Sequence, residues 1–253
     1  MRARAALTVV RRGGRSVVTT LRAQAPLALV PRRGTAGAAS RAAQVHLVGS
    51  ASTPLIGDDV ELEVTVGPGA ALKLAGVAAA VALAGSGRAS RTVLRARVAD
   101  GGSLTYRPEP TVVTARADHE TLLDVDLAPT ASLRARDVLV AGRSGETSGR
   151  YRGTVRVTED GLPLLVQTQE LGDPLLDGSP AHLAGRRVLG TEVVIGPAGT
   201  GPVEPAAGDW WSVSPLAVRG ALATAVADDA VTAGHRLAAA LAVLDGEAAA
   251  AAV

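Results

Sequence analysis

Cysteine is absent from the 253 residues, which excludes disulfides, thiolate metal sites and cysteine nucleophiles. Phenylalanine is absent as well, and there are only two Trp and two Tyr. A core must therefore be built from Val, Leu, Ala and Ile. The same scarcity argues against a binding module, whose anchors are commonly exposed Trp and Tyr. Lysine is nearly missing: Lys73 stands alone and the remaining positive charge is Arg. Ala and Gly are in excess too, so this bias reads as GC-rich coding. With a net charge of +2, the high pI is no argument for nucleic-acid binding. His46, His119, His182 and His235 stand in neither HxH nor HxxxH spacing, and a metal centre made from them would need long-range assembly. There is no GxSxG elbow, and Gly142-x-x-Gly145 lacks the ending of a phosphate loop. No apolar run reaches the ~20 residues of a spanning helix. Met1–Arg12 is too short for a secretory leader. The expectation is a soluble, cytoplasmic chain without a catalytic signature.

What is present is alternation. Apolar residues make up 47%, with Gly 29 and Pro 14 punctuating them throughout, which suits many short strands. Val60-Glu61-Leu62-Glu63-Val64-Thr65-Val66 alternates cleanly, as do Arg91 to Val98 and Leu123 to Leu127, the period of half-buried strands. Arg4–Val10 and Ser16–Leu21 flank Gly13-Gly14 and read as an opening hairpin. The segment from 32 to 43 reads as a loop. Ala70–Gly85, which fits a buried strand pair or a helix, is read as strands with a bend. Ser179-Pro180 has the form of a helix cap with Pro at the first position. Asp228-Asp229 precedes a helix through Leu237, Leu241 and Leu244. Together these predict a mainly β single domain over 1–253. Its short antiparallel and mixed strands would form stacked sheets with one or two helices, and the Ala-rich tail 246–253 would be disordered.

The chain is organised around Ala131–Leu171. Its apolar run Val138-Leu139-Val140 is followed by the polar loop Gly142-Arg143-Ser144-Gly145-Glu146, then by an alternating strand ending in Asp160-Gly161. Asp-Gly between two apolar segments is a hairpin signal, and Pro163 just beyond it marks an edge strand. Three carboxylates sit at loop or strand edges here and upstream: Asp59, Asp137 and Glu146. Asp137 and its neighbour Arg136 open an otherwise apolar strand, where a buried carboxylate needs a partner; an arginine holding the fold is the plain expectation. Asp124 and Asp126 alternate on one strand face, as the wet side of a sheet requires.

Several pieces in order resemble the UreD (UreH) urease accessory family. Pro54-Leu55-Ile56-Gly57-Asp58-Asp59 is similar to its Gly-rich loop ending in Asp, which puts Asp59 on the family aspartate. Val66-Gly67-Pro68-Gly69-Ala70-Ala71 resembles its Pro-Gly-Ala corner, and Tyr106-Arg107-Pro108-Glu109-Pro110 its proline segment. Ala135-Arg136-Asp137 and Gly142-Arg143 through Gly145-Glu146 correspond to its Asp and Gly-Arg…Gly-Glu. The chain departs from the pattern at 53–54, 75–80 and 144–146. The resemblance implies a largely β, non-catalytic metallochaperone scaffold of the actinobacterial, Ala/Arg-rich type. It implies contact with nickel-free urease and UreF, with the GTPase UreG reached through UreF. Ni²⁺ would pass in transit along an internal passage with Asp59, Asp137 and Glu146 as transient oxygen ligands, and no cofactor would be held permanently. The other reading is a β-sandwich hydrolase of a sugar or ester, or a binding module; the hydrolase would need two carboxylates ~5–9.5 Å apart in a cleft.

Overall fold

The structure is a computed structural model that describes residues 1–32 and 40–250, the side chains of 247–250 excepted. Most of the loop read at 32–43 and the end of the Ala-rich tail fall outside the described residues. The strands are β1 (Arg2–Arg12), β2 (Arg15–Arg22), β3 (Leu27–Pro31), β4 (Ala43–Gly49), β5 (Asp59–Val66), β6 (Ala71–Gly76), β7 (Ala80–Ala82), β8 (Ser90–Val98), β9 (Ser103–Arg107), β10 (Thr111–Val113), β11 (Asp118–Leu127), β12 (Ser132–Ala141), β13 (Arg150–Glu159) and β14 (Leu162–Leu171). A short helix α1 (Pro174–Gly178) precedes β15 (Val188–Ile195), β16 (Ala206–Gly208), β17 (Trp211–Pro215), β18 (Ala221–Ala227) and the long helix α2 (Ala230–Ala250).

These strands form two stacked sheets. The first has the order β14-β13-β11-β8-β5-β1-β2, and the second runs β16-β17-β18-β15-β12-β9-β6-β4-β3 with β10 and β7 alongside. The middle of each is parallel: β1, β5, β8, β11 and β13 in the first, β4, β6, β9 and β12 in the second. The chain therefore coils, laying one strand in each sheet per turn, and the opposite sheet supplies the long crossover that parallel pairing demands.

One corner is used three times, at Gly67–Ala70, Ala99–Gly102 and Ala128–Ala131. In each, the fourth residue's N–H donates to the first residue's carbonyl, at 3.0, 2.8 and 2.9 Å. Neighbouring corners are joined through Ser103 N to Ala70 O and Ser132 N to Gly102 O, both 2.9 Å. Two residues past each corner stands a leucine (Leu72, Leu104, Leu133), and all three are buried in the inter-sheet core. The repeat lies in this corner-plus-leucine spacing and not in residue identity, so turn-by-turn sequence reading passes over it.

The outer face of the first sheet is wet, unusual for a parallel sheet, and its strands alternate in charge sign. One row runs Arg2, Asp59, Arg91, Glu120, Arg152, Glu170 in register across six strands. A second runs Glu63, Arg95, Asp124, Arg156. Opposite charges directly across a pair contribute roughly 0.2–1 kcal/mol each and like charges cost as much. The ladder therefore disfavours any strand order that sets like-charged strands side by side. Five of the arginines read from composition as coding bias stand in it.

Both hairpins are present, with positive φ at Asp160 (49°) and Gly161 (80°), and β14 with Pro163 is an edge strand. Val138-Leu139-Val140 does not alternate because both faces of β12 are covered there. Leu139 is buried among inter-sheet residues and Val138 beneath α2, with Leu237, Leu241 and Leu244. The helix read at Ser179-Pro180 begins earlier. Asp173 caps it, accepting from Leu175 N at 2.9 Å and Leu176 N at 3.3 Å with Pro174 following, and Ser179 ends it. Both dipeptides fit the cap signature, and the carboxylate takes it. Asp229 caps α2 through Thr232 N at 2.9 Å, and the helix continues to Ala250 through the first residues of the tail expected to be disordered. Among the described residues, no helix is long and apolar enough to cross a membrane.

Candidate functional site

Between the sheets lies a cavity of about 200 Å³. Inward positions of β8, β11, β13 and β14 wall one side (Thr92, Thr121, Gly153, Gln167, Gln169), and those of β9, β12 and β15 the other (Tyr106, Asp137, Thr191). Asp137 alternates with Ala135 and Leu139, which face the core, so the pleat carries its carboxyl inward. Its Oδ2 accepts from the Tyr151 hydroxyl at 3.1 Å, and that hydroxyl lies 2.7 Å from Thr121 Oγ1. Burial pushes the Asp137 pKa up, against the hydrogen bonds that stabilise its anion. Burial and the nearby Asp137 carboxyl raise both tyrosines as well. Tyr151 lies along β13 because Gly153 leaves room: a Cβ there would stand 2.3 Å from the tyrosine oxygen.

Among the described residues no arginine pairs with Asp137. Arg136 points to the opposite face of β12, where its Nε meets Glu192 at 2.7 Å. Asp59 is also outside the cavity. It lies in the outer charge ladder with Arg88 at 3.4 Å, while its neighbour Val60 turns inward. Asp58 is the buried carboxylate of that loop, accepting from Leu55 N at 2.9 Å, Thr53 Oγ1 at 3.0 Å and the Met1 amine at 2.7 Å. Hydrogen bonding to these groups outweighs burial and lowers its pKa. Glu146 closes its own loop on Arg143, at 2.9 Å to Nε and 3.1 Å to Nη2, and that pairing holds its pKa down at about 2. The fold brings one of the three candidates to the cavity and sets two on the outside. Asp124 and Asp126 stand in register with Arg95 and Arg97 on the wet face, so they form no pair in a cleft.

Residues passed over in the sequence complete the site. The two tyrosines of an aromatic-poor chain both face the gap; their rarity, at inward positions, was the available signal. His119 lies beside Tyr151, ring centroids 6.0 Å apart. Ser90 Oγ lies 3.1 Å from Asp118 O and 2.9 Å from His119 Nδ1, and its hydroxyl links the two. Burial lowers the His119 pKa from 6.5 to about 4. The imidazole is thus neutral in the fold, and stability present above pH 6.5 is lost as pH falls through about 4, a contribution of roughly 3 kcal/mol. Chemical denaturation between pH 7 and pH 4 should show this slope, and His119→Gln should flatten it. An unchanged slope would place the acid sensitivity elsewhere.

The Asp137 carboxyl, with phenol, hydroxyl and amide oxygens around it and Glu109 also bordering the cavity, can hold a cation weakly. No group of three or more His, Asp or Glu with metal-site geometry occurs among the described residues. The class of protein thus defined is a coiled two-sheet β scaffold around an internal gap with a buried carboxyl on its wall. Residues 1–252 match the family model described as UreD urease accessory protein. The chain is 51% identical to urease accessory protein UreD 1 of Saccharopolyspora erythraea, over 95% of this chain and 94% of the relative. It is 41% identical to the Parafrankia UreD, over 97% and 90%, and 38% identical to that of Streptomyces coelicolor, over 96% and 97%. The chain belongs to the UreD family of urease accessory proteins.

Proposed function

We propose that this chain is a non-catalytic maturation scaffold that joins nickel-free urease to UreF, and through UreF to UreG. Ni²⁺ travels as cargo through the gap between its sheets, in the cytoplasm where urease is assembled. The observation that carries this reading is the placement of Asp137 on the wall of the cavity, beside the oxygens of Tyr151, Thr121 and Thr191. A transported cation needs hard ligands that let go, whereas imidazole or thiolate cages would trap it. Asp137 supplies one charge, and burial, which raises its pKa, leaves that charge in want of a counter-ion that an arriving cation provides. Exposed Leu55, Val77 and Val81 are chain neighbours of the lining residues Pro54, Gly76, Ala78 and Ala80. This apolar collar at the cavity's rim suits a partner that seals the passage from solvent. Two of the departures from the family pattern, at 53–54 and 75–80, fall on it.

The test is reconstitution. Urease expressed with its other accessory proteins but without this chain should stay inactive, and adding the chain should restore nickel-dependent activity and a complex with UreF. Full urease activation without the chain, at ordinary nickel supply, would overturn the reading.

A further inference from the structure

The gap does not end at Asp137. Asp137 pairs with Thr191 of β15, and Thr191 with Thr224 of β18. One cross-sheet row thus carries three inward oxygen-bearing side chains at strand spacings of about 4.8 Å. Thr191 lines the first cavity, and Thr224 lines a second of about 440 Å³. Gln167 and Gln169 of edge strand β14 border both. The two cavities adjoin at edge strand β14, and Arg152 and Glu170 of the outer charge row border the second as well.

His182 closes the second chamber, with Asp177 beside it. Their facing atoms, Nδ1 and Oδ1, are 3.6 Å apart, too long for a hydrogen bond between them. Both atoms are buried and without a hydrogen-bond partner among the described residues. Neither group is adrift. Asp177 Oδ2 accepts from Gly172 N at 2.9 Å, and the His182 backbone N–H donates to Ser179 O at 2.9 Å. With the imidazole proton on Nε2, two lone pairs face one spot on a rigid turn. An imidazole nitrogen with a carboxylate oxygen suits a first-row divalent cation of borderline softness. The Gln169 amide on the same chamber is a further oxygen donor.

We infer that His182 and Asp177 form a weak divalent-cation station beside edge strand β14, where the passing ion is held by nitrogen as well as oxygen. The inference rests on the passage reading above, and names the residues at which the cargo pauses. NiCl₂ titrated into the purified full-length chain, followed by calorimetry, should show a site that His182→Gln weakens by about tenfold or more, the scale on which even outer partners of metal ligands act. Asp177→Asn should weaken it similarly. His235→Gln, on the exposed face of α2, should leave it unchanged. In reconstituted maturation, His182→Gln should slow urease activation at limiting nickel and be rescued at high nickel. Nickel binding by His182→Gln equal to wild type, at matched thermal midpoint, would overturn the station. If His182→Gln loses nickel binding while Asp137→Asn activates urease normally, the station stands and the passage through Asp137 fails.

Discussion

Replacing Asp137 by asparagine should lower nickel-dependent urease activation by about tenfold, the equivalent of about 1.4 kcal/mol, while the complex with UreF and urease forms in normal yield. Asparagine keeps an oxygen to accept from the Tyr151 hydroxyl, which lies 3.1 Å from the carboxylate, and keeps the volume. It removes the one thing the passage reading needs, a carboxylate that meets the cation. The stability effect has the opposite sign. Because the folded-state pKa of Asp137 is raised, its contribution is fully present below the unfolded value near 3.8 and is lost as pH rises through the raised folded value. The variant should therefore be at least as stable as wild type at neutral pH and show a flatter stability profile. Activity and complex yield measured on one preparation decide the matter. If both fall together, Asp137 holds the fold, and if neither falls, the cation takes another route.

The largest loss of stability should come from the other face of β12. Glu192 is completely buried, with Arg107 Nη2 and Arg136 Nε each 2.7 Å from its two oxygens. The three residues tie β9, β12 and β15 together beside α2. Changing both arginines to methionine strands the carboxylate without a partner, which costs about 3–5 kcal/mol. Glu192→Met should cost distinctly less, because both guanidiniums reach solvent, at 39% and 23% exposure, and a buried ion pair replaced by an apolar side chain is often close to neutral. Urea denaturation of the two variants gives the ordering. If Glu192→Met proves the more damaging, the arginines and not the glutamate carry the desolvation penalty.

The failures of sequence reading at the site have a common cause. Asp59, Asp137 and Glu146 look alike along the chain, each a carboxylate at the edge of an apolar or Gly-rich segment. Position in the pleat separates them. Asp137 falls on the side of Ala135 and Leu139, whereas Asp59 falls opposite Val60 and Leu62 and so joins the outer charge row. Glu146 lies in a loop, and its neighbour Arg143 satisfies it from three residues away. The same blindness hid Tyr151 and His119, whose partners Thr121 and Ser90 are 30 and 29 residues distant.

By itself the sequence determined the local structure: alternating strands, both hairpins, the Asp-capped C-terminal helix, a core without phenylalanine, and the family through its corner and Gly-Arg…Gly-Glu pieces. These are properties of adjacent residues, set by backbone sterics, turn chemistry and the period of burial. Only the tertiary structure decided that the strands coil in parallel through stacked corners, and that charge alternates across the first sheet. It alone separated the carboxylate on the internal gap from those facing water, and set His182 and Asp177 face to face beside edge strand β14. Those facts depend on which segments lie side by side after folding, a relation between residues tens of positions apart that no local pattern encodes.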